Sequence, residues 1–237
     1  MRTYGLISDI DCNVTETWNK KIFLTFDVDW AHDVVISDSA QIVESFGVRA
    51  TWFFTHSSPL IQTLIKRGHE VGIHPNFNKI LSQDSELNSK QVIDECLSWC
   101  PGARSTRSHS LVYGAPIAAS LFSKHVTHSS NLNIPISSGI ALKPWTSSNS
   151  IVEVPYSWAD EHSWGELKQP SASRWAKQDG LLVADFHPIH VYLNSKSTNC
   201  YEESRSCHQQ PENLIRYRDA GLGVRSELTS LCQMILN

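Results

Sequence analysis

Apolar residues gather along the chain in short runs rich in β-branched and aromatic side chains: Ile22–Phe26, Ala50–Phe54, Glu70–Ile73, Val126–His128, Ile151–Val154 and Leu181–Phe186. Runs of this make-up predict strands. Between them the apolar positions follow helical spacing. Residues 58–68 carry a serine cap, Pro59 in the first turn, Lys66 and Arg67 in the last and Gly68 as terminator, which together predict a helix. Further helices are predicted over residues 37–46, 89–99 and 116–123, and from 226 to the end. Strands alternating with helices imply an α/β fold with a mostly parallel sheet, open or closed into a barrel. Two stretches break the pattern. Residues 137–150 are rich in Ser, Asn and Gly and predict a surface excursion; residues 194–210 are polar and predict a long loop, either mobile or a lid over a site.

Composition adds a few constraints. A chain of 237 residues with 41% hydrophobic content has room for one large core, so residues 1–237 are expected to form one domain. The formal net charge of -4, without a long run of like charge, gives no electrostatic reason to expect nucleic acid or an anionic membrane as partner. The first twenty residues carry Asp9, Asp11, Glu16 and Lys20, and the chain offers no apolar stretch long enough to span a bilayer. Neither a cleaved export signal nor a transmembrane segment is expected, and the location expected is cytoplasmic. Cysteines at 12, 96, 100, 200, 207 and 232 are too sparse and irregular for a disulfide framework; most are expected reduced, with Cys200 and Cys207 able to join if oxidised.

Polar residues with chemical capacity stand where the strands end. The run Ile22–Phe26 finishes in Asp27-Val28-Asp29, and strand periodicity puts both carboxylates on one side, where they need a metal, a cation or a proton between them. His74 and Asn78 follow the Glu70–Ile73 run, Arg107 and His109 follow residues 101–106, Asp160 and Trp164 follow the Ile151–Val154 run, and His187-Pro188-Ile189-His190 closes the last. In parallel α/β folds ligands bind at the carboxyl ends of strands.

The succession Thr25-Phe26-Asp27-Val28-Asp29, Gly68-His69-Glu70-Val71-Gly72-Ile73-His74, Arg107, Asp160 to Trp164 and His187-Pro188 resembles the five ordered motifs of the polysaccharide deacetylase family, also called carbohydrate esterase family 4 or the NodB-homology domain. It covers roughly residues 20–190, and Gly-His-Glu-Val-Gly followed by His is its most specific piece. The resemblance implies a distorted (β/α) barrel of about seven strands and a divalent metal, zinc first and cobalt, nickel or iron next, held by an Asp-His-His triad. Matched residue by residue, Asp27 is the general base, while Asp29 and His74 are metal ligands. The third ligand, ordinarily a histidine four residues after the second, falls on Asn78, whose amide oxygen can complete such a site more weakly than an imidazole. The alternative is that Asn78 caps a turn in Pro75-Asn76-Phe77-Asn78. His109 stands ready either to contact substrate or to complete the metal shell in place of Asn78.

The same resemblance pairs Arg107 with Asp27 and Asp160 with His187, the latter as general acid, and puts Trp164 on the pocket wall with Trp158 and Tyr156 nearby. Aromatic faces suit the apolar face of a sugar ring or an acetyl methyl. The implied activity is metal-dependent hydrolysis of a carbon-nitrogen bond, removing acetyl or formyl from an amino sugar, with a nucleotide- or lipid-linked precursor of a bacterial surface glycan such as O-antigen as substrate. Two rivals remain open at this stage: a metal-free sugar-binding relative, motivated by Asn78, and an amidase acting on a ureide or small cyclic amide.

Overall fold

The computed structural model describes residues 2–82, 87–162, 164, 175 and 178–236. Among these residues ten strands form one curled sheet: β1 (Thr3–Tyr4), β2 (Lys21–Asp27), β3 (Thr51–Phe54), β4 (Glu70–Ile73), β5 (Ser105–Thr106), β6 (His128–Ser129), β7 (Trp145–Thr146), β8 (Val152–Glu153), β9 (Trp158–Ala159) and β10 (Leu182–Phe186). Their order is β7-β8-β6-β5-β4-β3-β2-β10-β9, with β1 paired to β2 off this path. Every pairing is parallel except β7 with β8. The fold is thus α/β with an open half-barrel, and the count exceeds the seven or so strands expected because several strands are two-residue pieces. These pieces lie below the reach of periodicity, which needs at least four residues to show alternation.

Alternation along β2 divides the interior. Ile22, Leu24 and Phe26 point to the helix side, where they join a large apolar cluster with Trp52, Phe54, Ile73 and Phe186; Phe23 points the other way, to a smaller cluster with Phe53, Val183 and Tyr156. Phe26 stacks on Trp52 with centroids 4.0 Å apart, and truncation of such a buried aromatic typically costs about 3–5 kcal/mol. Thr25 and Asp27 share the face of Phe23, and Asp185 shares that of Val183, because side chains two apart in a strand point the same way. The concave face therefore begins apolar and turns polar as the strands reach their carboxyl ends.

The helices follow from local punctuation. Helix α1 (Asp33–Ser45) begins four residues before the expected start, since the His32 side chain caps it by accepting from the Val34 amide. Helix α2 (Leu60–Lys66) is capped by Ser58, whose hydroxyl accepts from the Leu60 amide, and is stopped at Gly68, which lies at φ +85°. A short helix α3 (Asn78–Leu81) precedes α4 (Ser89–Trp99), where Asn88 and Gln91 form a reciprocal capping box. Helix α5 (Ala115–Ser123) begins one residue before the expected start, with Pro116 in its first turn. The polar stretch 194–210 is not a plain loop: Thr198–Ser204 is helical and Arg205–Cys207 a 3-10 turn. All six cysteines are free, and burial pushes the Cys96, Cys100 and Cys232 thiols up to about 12. Among the described residues no helix is long and apolar enough to cross a membrane.

Candidate active site

Strand β2 stops at Asp27, and the chain turns sharply. Asp29 and Trp30 both adopt left-handed backbone, φ 43° and 56°, a conformation costing a non-glycine residue roughly 1–2 kcal/mol. The turn is clamped by hydrogen bonds from the Val28 amide to the Phe53 carbonyl, 3.1 Å, and from the Trp30 amide to Thr55 Oγ1, 3.0 Å. Strand alternation is therefore not what brings Asp29 beside Asp27, contrary to the periodic argument; the strained turn does. Strain of this kind is held where the surrounding structure over-determines it, commonly at a site of chemistry. A second such turn, Ser110 and Leu111 at φ 55° each, follows His109.

These two turns and the end of β4 bring three side chains to one point. Asp29 Oδ1 accepts from His109 Nδ1 at 2.9 Å and from His74 Nε2 at 3.2 Å, and the ligand atoms of the three residues all lie within 4.8 Å of one another. One carboxylate and two imidazoles around a cavity of about 260 Å³ make a donor set suited to a divalent ion of the zinc class, with the cavity as the open side. Fully buried His74 offers a second sign of fit. Its Nδ1 has no hydrogen-bond partner among the described residues and lies 3.8 Å from Asp27 Oδ1, the relation a metal-ligating imidazole commonly has to a carboxylate behind it. Burial raises the Asp29 carboxyl, but the hydrogen bonds from His109 and His74 and the charges of His74 and His187 outweigh it and hold the group far below the usual carboxylate range.

Asn78 takes no part in this arrangement. It is exposed at the start of α3, its Nδ2 donates to Ser110 Oγ at 3.2 Å, and it does not line the cavity. A four-residue spacing returns a side chain to the same face only in a helix, and residues 74–77 are not helical. The buried Phe77 turns inward instead, and the third place beside Asp29 and His74 goes to His109.

Behind this triad lies a buried clamp. The Arg107 guanidinium, with no exposed surface, donates through Nη1 to Asp27 Oδ1 at 3.0 Å, Asp185 Oδ1 at 2.5 Å and Thr25 Oγ1 at 2.9 Å, and through Nε and Nη2 to Ser130. Its flat faces lie against Tyr156, 4.5 Å, and Phe53, 5.0 Å. Burial and the neighbouring Asp27 charge, opposed by Arg107, push the Asp185 carboxyl well above its usual range. On the other wall His187 Nδ1 bonds Asp160 Oδ1 at 2.7 Å while the His187 amide donates to Asp160 Oδ2 at 2.7 Å, so both oxygens fix one histidine. Burial disfavours a charge on His187, but Asp160, then Asp29 and Asp185, outweigh it and hold the imidazole well above its usual range. His187 Nε2 faces the cavity, 3.5 Å from Asp29 Oδ2.

The aromatic residues divide differently from expectation. Tyr156 lines the cavity but presents its face to Arg107. Trp158 stays out of the cavity: it pairs with Ala184 on the helix side of the sheet and packs against Phe186 and Trp175, because the inward position on β9 belongs to Ala159. Trp164 rests edge-on against His190, 5.1 Å, outside the cavity lining. His69 is structural, accepting from the Ala50 amide and Trp52 Nε1 and facing Glu44 at 3.2 Å. Two residues of the site escaped the sequence reading. Asp185 carried a signal, a carboxylate inside the apolar run Leu182–Phe186; Glu161, which lines the cavity beside His187, carried none.

An α/β half-barrel with an Asp-His-His donor set, an Arg-held aspartate and an Asp-held histidine at its strand ends defines a class of deacetylase-like hydrolases. The family model of the WbmS-like polysaccharide deacetylases matches residues 24–205, and the chain belongs to that family. WbmS from Bordetella bronchiseptica, whose crystal structure is described as that of "a putative polysaccharide deacetylase involved in O-antigen biosynthesis", is 40% identical; the match covers 98% of this chain and 97% of that one with a TM-score of 0.92. The family 4 carbohydrate esterase from Streptomyces lividans, solved with acetate, shares the fold at 12% identity, 90% and 86% coverage and a TM-score of 0.50. No curated protein sequence matches the chain.

Proposed function

We propose that this deacetylase-family protein is a divalent-metal-dependent hydrolase that removes the acyl group, acetyl before formyl, from the nitrogen of an amino sugar. The observation that carries the reading is the meeting of Asp29, His74 and His109 between a clamped Asp27 and a clamped His187. A divalent ion held by those three side chains would polarise the acyl carbonyl and acidify an adjacent water. The chain's own residues do the rest. Asp27, held and aimed by Arg107, takes the proton of the attacking water as its oxygen bonds to the carbonyl carbon. The carbon-nitrogen bond then breaks with its electron pair on nitrogen, a poor leaving group unless protonated. His187, kept cationic and oriented by Asp160, gives that proton through Nε2, so that a carboxylate and a free amine depart.

His109 in the third place supports this reading over the metal-free one, which rested on Asn78. The likeness to WbmS supports a role in making a surface glycan. The test is acetate and formate release from acylated amino sugars by the purified chain loaded with zinc or cobalt. Release that stops with a chelator and with Asp29→Ala, and returns on adding metal, is the expected result; metal-loaded protein that frees neither acid from any member of such a panel overturns the reading.

A further inference from the structure

Among the described residues four carboxyl side chains line the catalytic cavity. Three are accounted for: Asp29 meets His74 and His109, while Asp27 and Asp185 share Arg107 Nη1. Glu161 is the fourth. It enters from the 3-10 turn Asp160–His162, directly after the residue that clamps His187, and its side chain keeps 49% of its surface exposed. An acid so exposed is ordinarily a solvated surface group. Glu161 instead turns Oε1 toward two buried imidazoles, 4.0 Å from His187 Nε2 and 3.8 Å from His190 Nε2. His190 is itself held from behind, its Nδ1 lying 3.2 Å from Ser195 Oγ. Hydrogen bonding to His190 and the charge of His187 bring the Glu161 carboxyl down to about 2, so it is an acceptor only.

His187 Nε2 is the atom that delivers the proton, which fixes where the departing nitrogen must sit. Proton transfer requires an approach to about 2.9 Å. Two atoms 4.0 Å apart can both stand at that distance from a third, so a nitrogen seated against His187 Nε2 also comes within reach of Glu161 Oε1. Asp29 Oδ2 lies near as well, 3.5 Å from Nε2, but Asp29 is engaged by two imidazoles and belongs to the donor set.

The leaving group has a use for such an acceptor. The nitrogen of an acylated amino sugar carries one N–H, and attack on the carbonyl carbon leaves it pyramidal with a localised lone pair. A carboxylate that takes the N–H turns the lone pair toward the histidine. Once the proton arrives, nitrogen holds two N–H bonds and a positive charge, and an ionised acceptor beside it stabilises that charge where it develops. The carbon-nitrogen bond then breaks with its electron pair on nitrogen. Glu161 neither gains nor loses a proton in the step.

We infer that Glu161 is a further catalytic residue, whose Oε1 accepts a hydrogen bond from the departing nitrogen, aims its lone pair at His187 Nε2 and stabilises the protonated amine. This rests on the hydrolase reading and deepens it.

The test sets an amide against an ester with the same acyl group. N-acetylglucosamine leaves through nitrogen and needs the proton; 4-nitrophenyl acetate leaves as 4-nitrophenolate, which carries no N–H and departs unprotonated. With the metal-loaded full chain, Glu161→Ala is expected to lower kcat on the amide by about 10–100-fold, and Glu161→Gln, which keeps an acceptor without the charge, by less. Ester hydrolysis should stay within about twofold and the thermal transition should not move, since the side chain is half exposed. Glucosamine, the free amine, gives a readout without turnover: in ligand-observed NMR its affinity should fall at least about fivefold in Glu161→Ala. Equal losses on amide and ester, or glucosamine binding alike in wild type and Glu161→Ala, overturn the inference. Should neither substrate release acetate while glucosamine binding still depends on Glu161, the hydrolase reading fails and the amine contact stands.

Discussion

The two halves of the site are built by different means. The inner half, Thr25, Asp27, Arg107, Asp185, Asp160 and His187, hangs on strand ends, is buried and is bound into closed hydrogen-bond circuits. The outer half, Asp29, Trp30, His109 and Glu161, sits on turns and a 3-10 helix, carries left-handed backbone at Asp29 and Trp30, and faces solvent-accessible cavities. Stability and chemistry are therefore separable. An inner change should threaten the fold, whereas an outer change should spare the fold and remove the metal or the substrate.

The largest expected effect belongs to the inner half. Arg107→Ala leaves Asp27 and Asp185 buried beside each other without their cation, and removing one partner of a buried pair typically costs about 3–5 kcal/mol. Urea denaturation should show that loss together with loss of activity. Next comes the outer half. His109→Ala should weaken zinc binding by more than the roughly 10–100-fold that loss of an outer-shell partner causes, while leaving the urea midpoint nearly unmoved. Asn78→Ala should change zinc affinity hardly at all. Calorimetric titration of the two variants side by side decides between His109 and Asn78 as third ligand, and equal losses would restore Asn78.

The same division explains what the sequence made legible. Asp27, Arg107, Asp160 and His187 stand at or just beyond strand ends, and the order of motifs pointed to them; the structure brings these four together as two clamped pairs. Strand alternation would also have found Asp185, since it sits two before His187 on the concave face, as Asp27 sits two after Thr25. The outer half was legible only in part: Asp29 and His109 were both candidates, but the geometry that joins them was not. Nothing in the sequence announces that Asp29 and Trp30 turn left-handed, because the clamp comes from Phe53, Thr55 and Gln209, residues far away in sequence. The motif spacing that put the third ligand four residues after His74 fails here, since the helix begins only at Asn78. Trp158 was misplaced for a similar reason: two residues of strand are too few to reveal which face each occupies.

A third, smaller effect tests the clamp on His187 through pH. Its folded pKa lies above the unfolded value of about 6.5, so the stability it contributes is full below that pH and is lost as pH rises through the folded value. Its donor form survives into the same alkaline range. Asp160→Asn removes the leading charge that holds the proton, and the alkaline limb of kcat/KM should move down by about 1–3 units, the size of a close ion-pair effect. A limb that stays in place would take the acid role from His187 and point to His190, which lies one helical turn on and faces Glu161.

The smallest effect separates two carboxyl groups that share one cation. Asp27 and Asp185 both accept from Arg107 Nη1, but burial and the Asp27 charge raise the Asp185 carboxyl well above its usual range. A carboxyl raised on folding stabilises the protein below its unfolded pKa of about 3.9, and that contribution fades as pH climbs through the folded value. Asp185→Asn keeps the accepting oxygen for Arg107 and deletes the titration. Its unfolding free energy should stay within about 1 kcal/mol of wild type near neutrality, with a flatter dependence on pH, since swapping a hydrogen-bonded group for a neutral isostere preserves the contact. Asp27→Asn also preserves the contact, yet it removes the base and should abolish acetate release. If the two asparagine variants lose activity alike, Asp185 shares the base's work, and the inner half is a carboxyl pair acting together rather than one chemical group braced by a structural one.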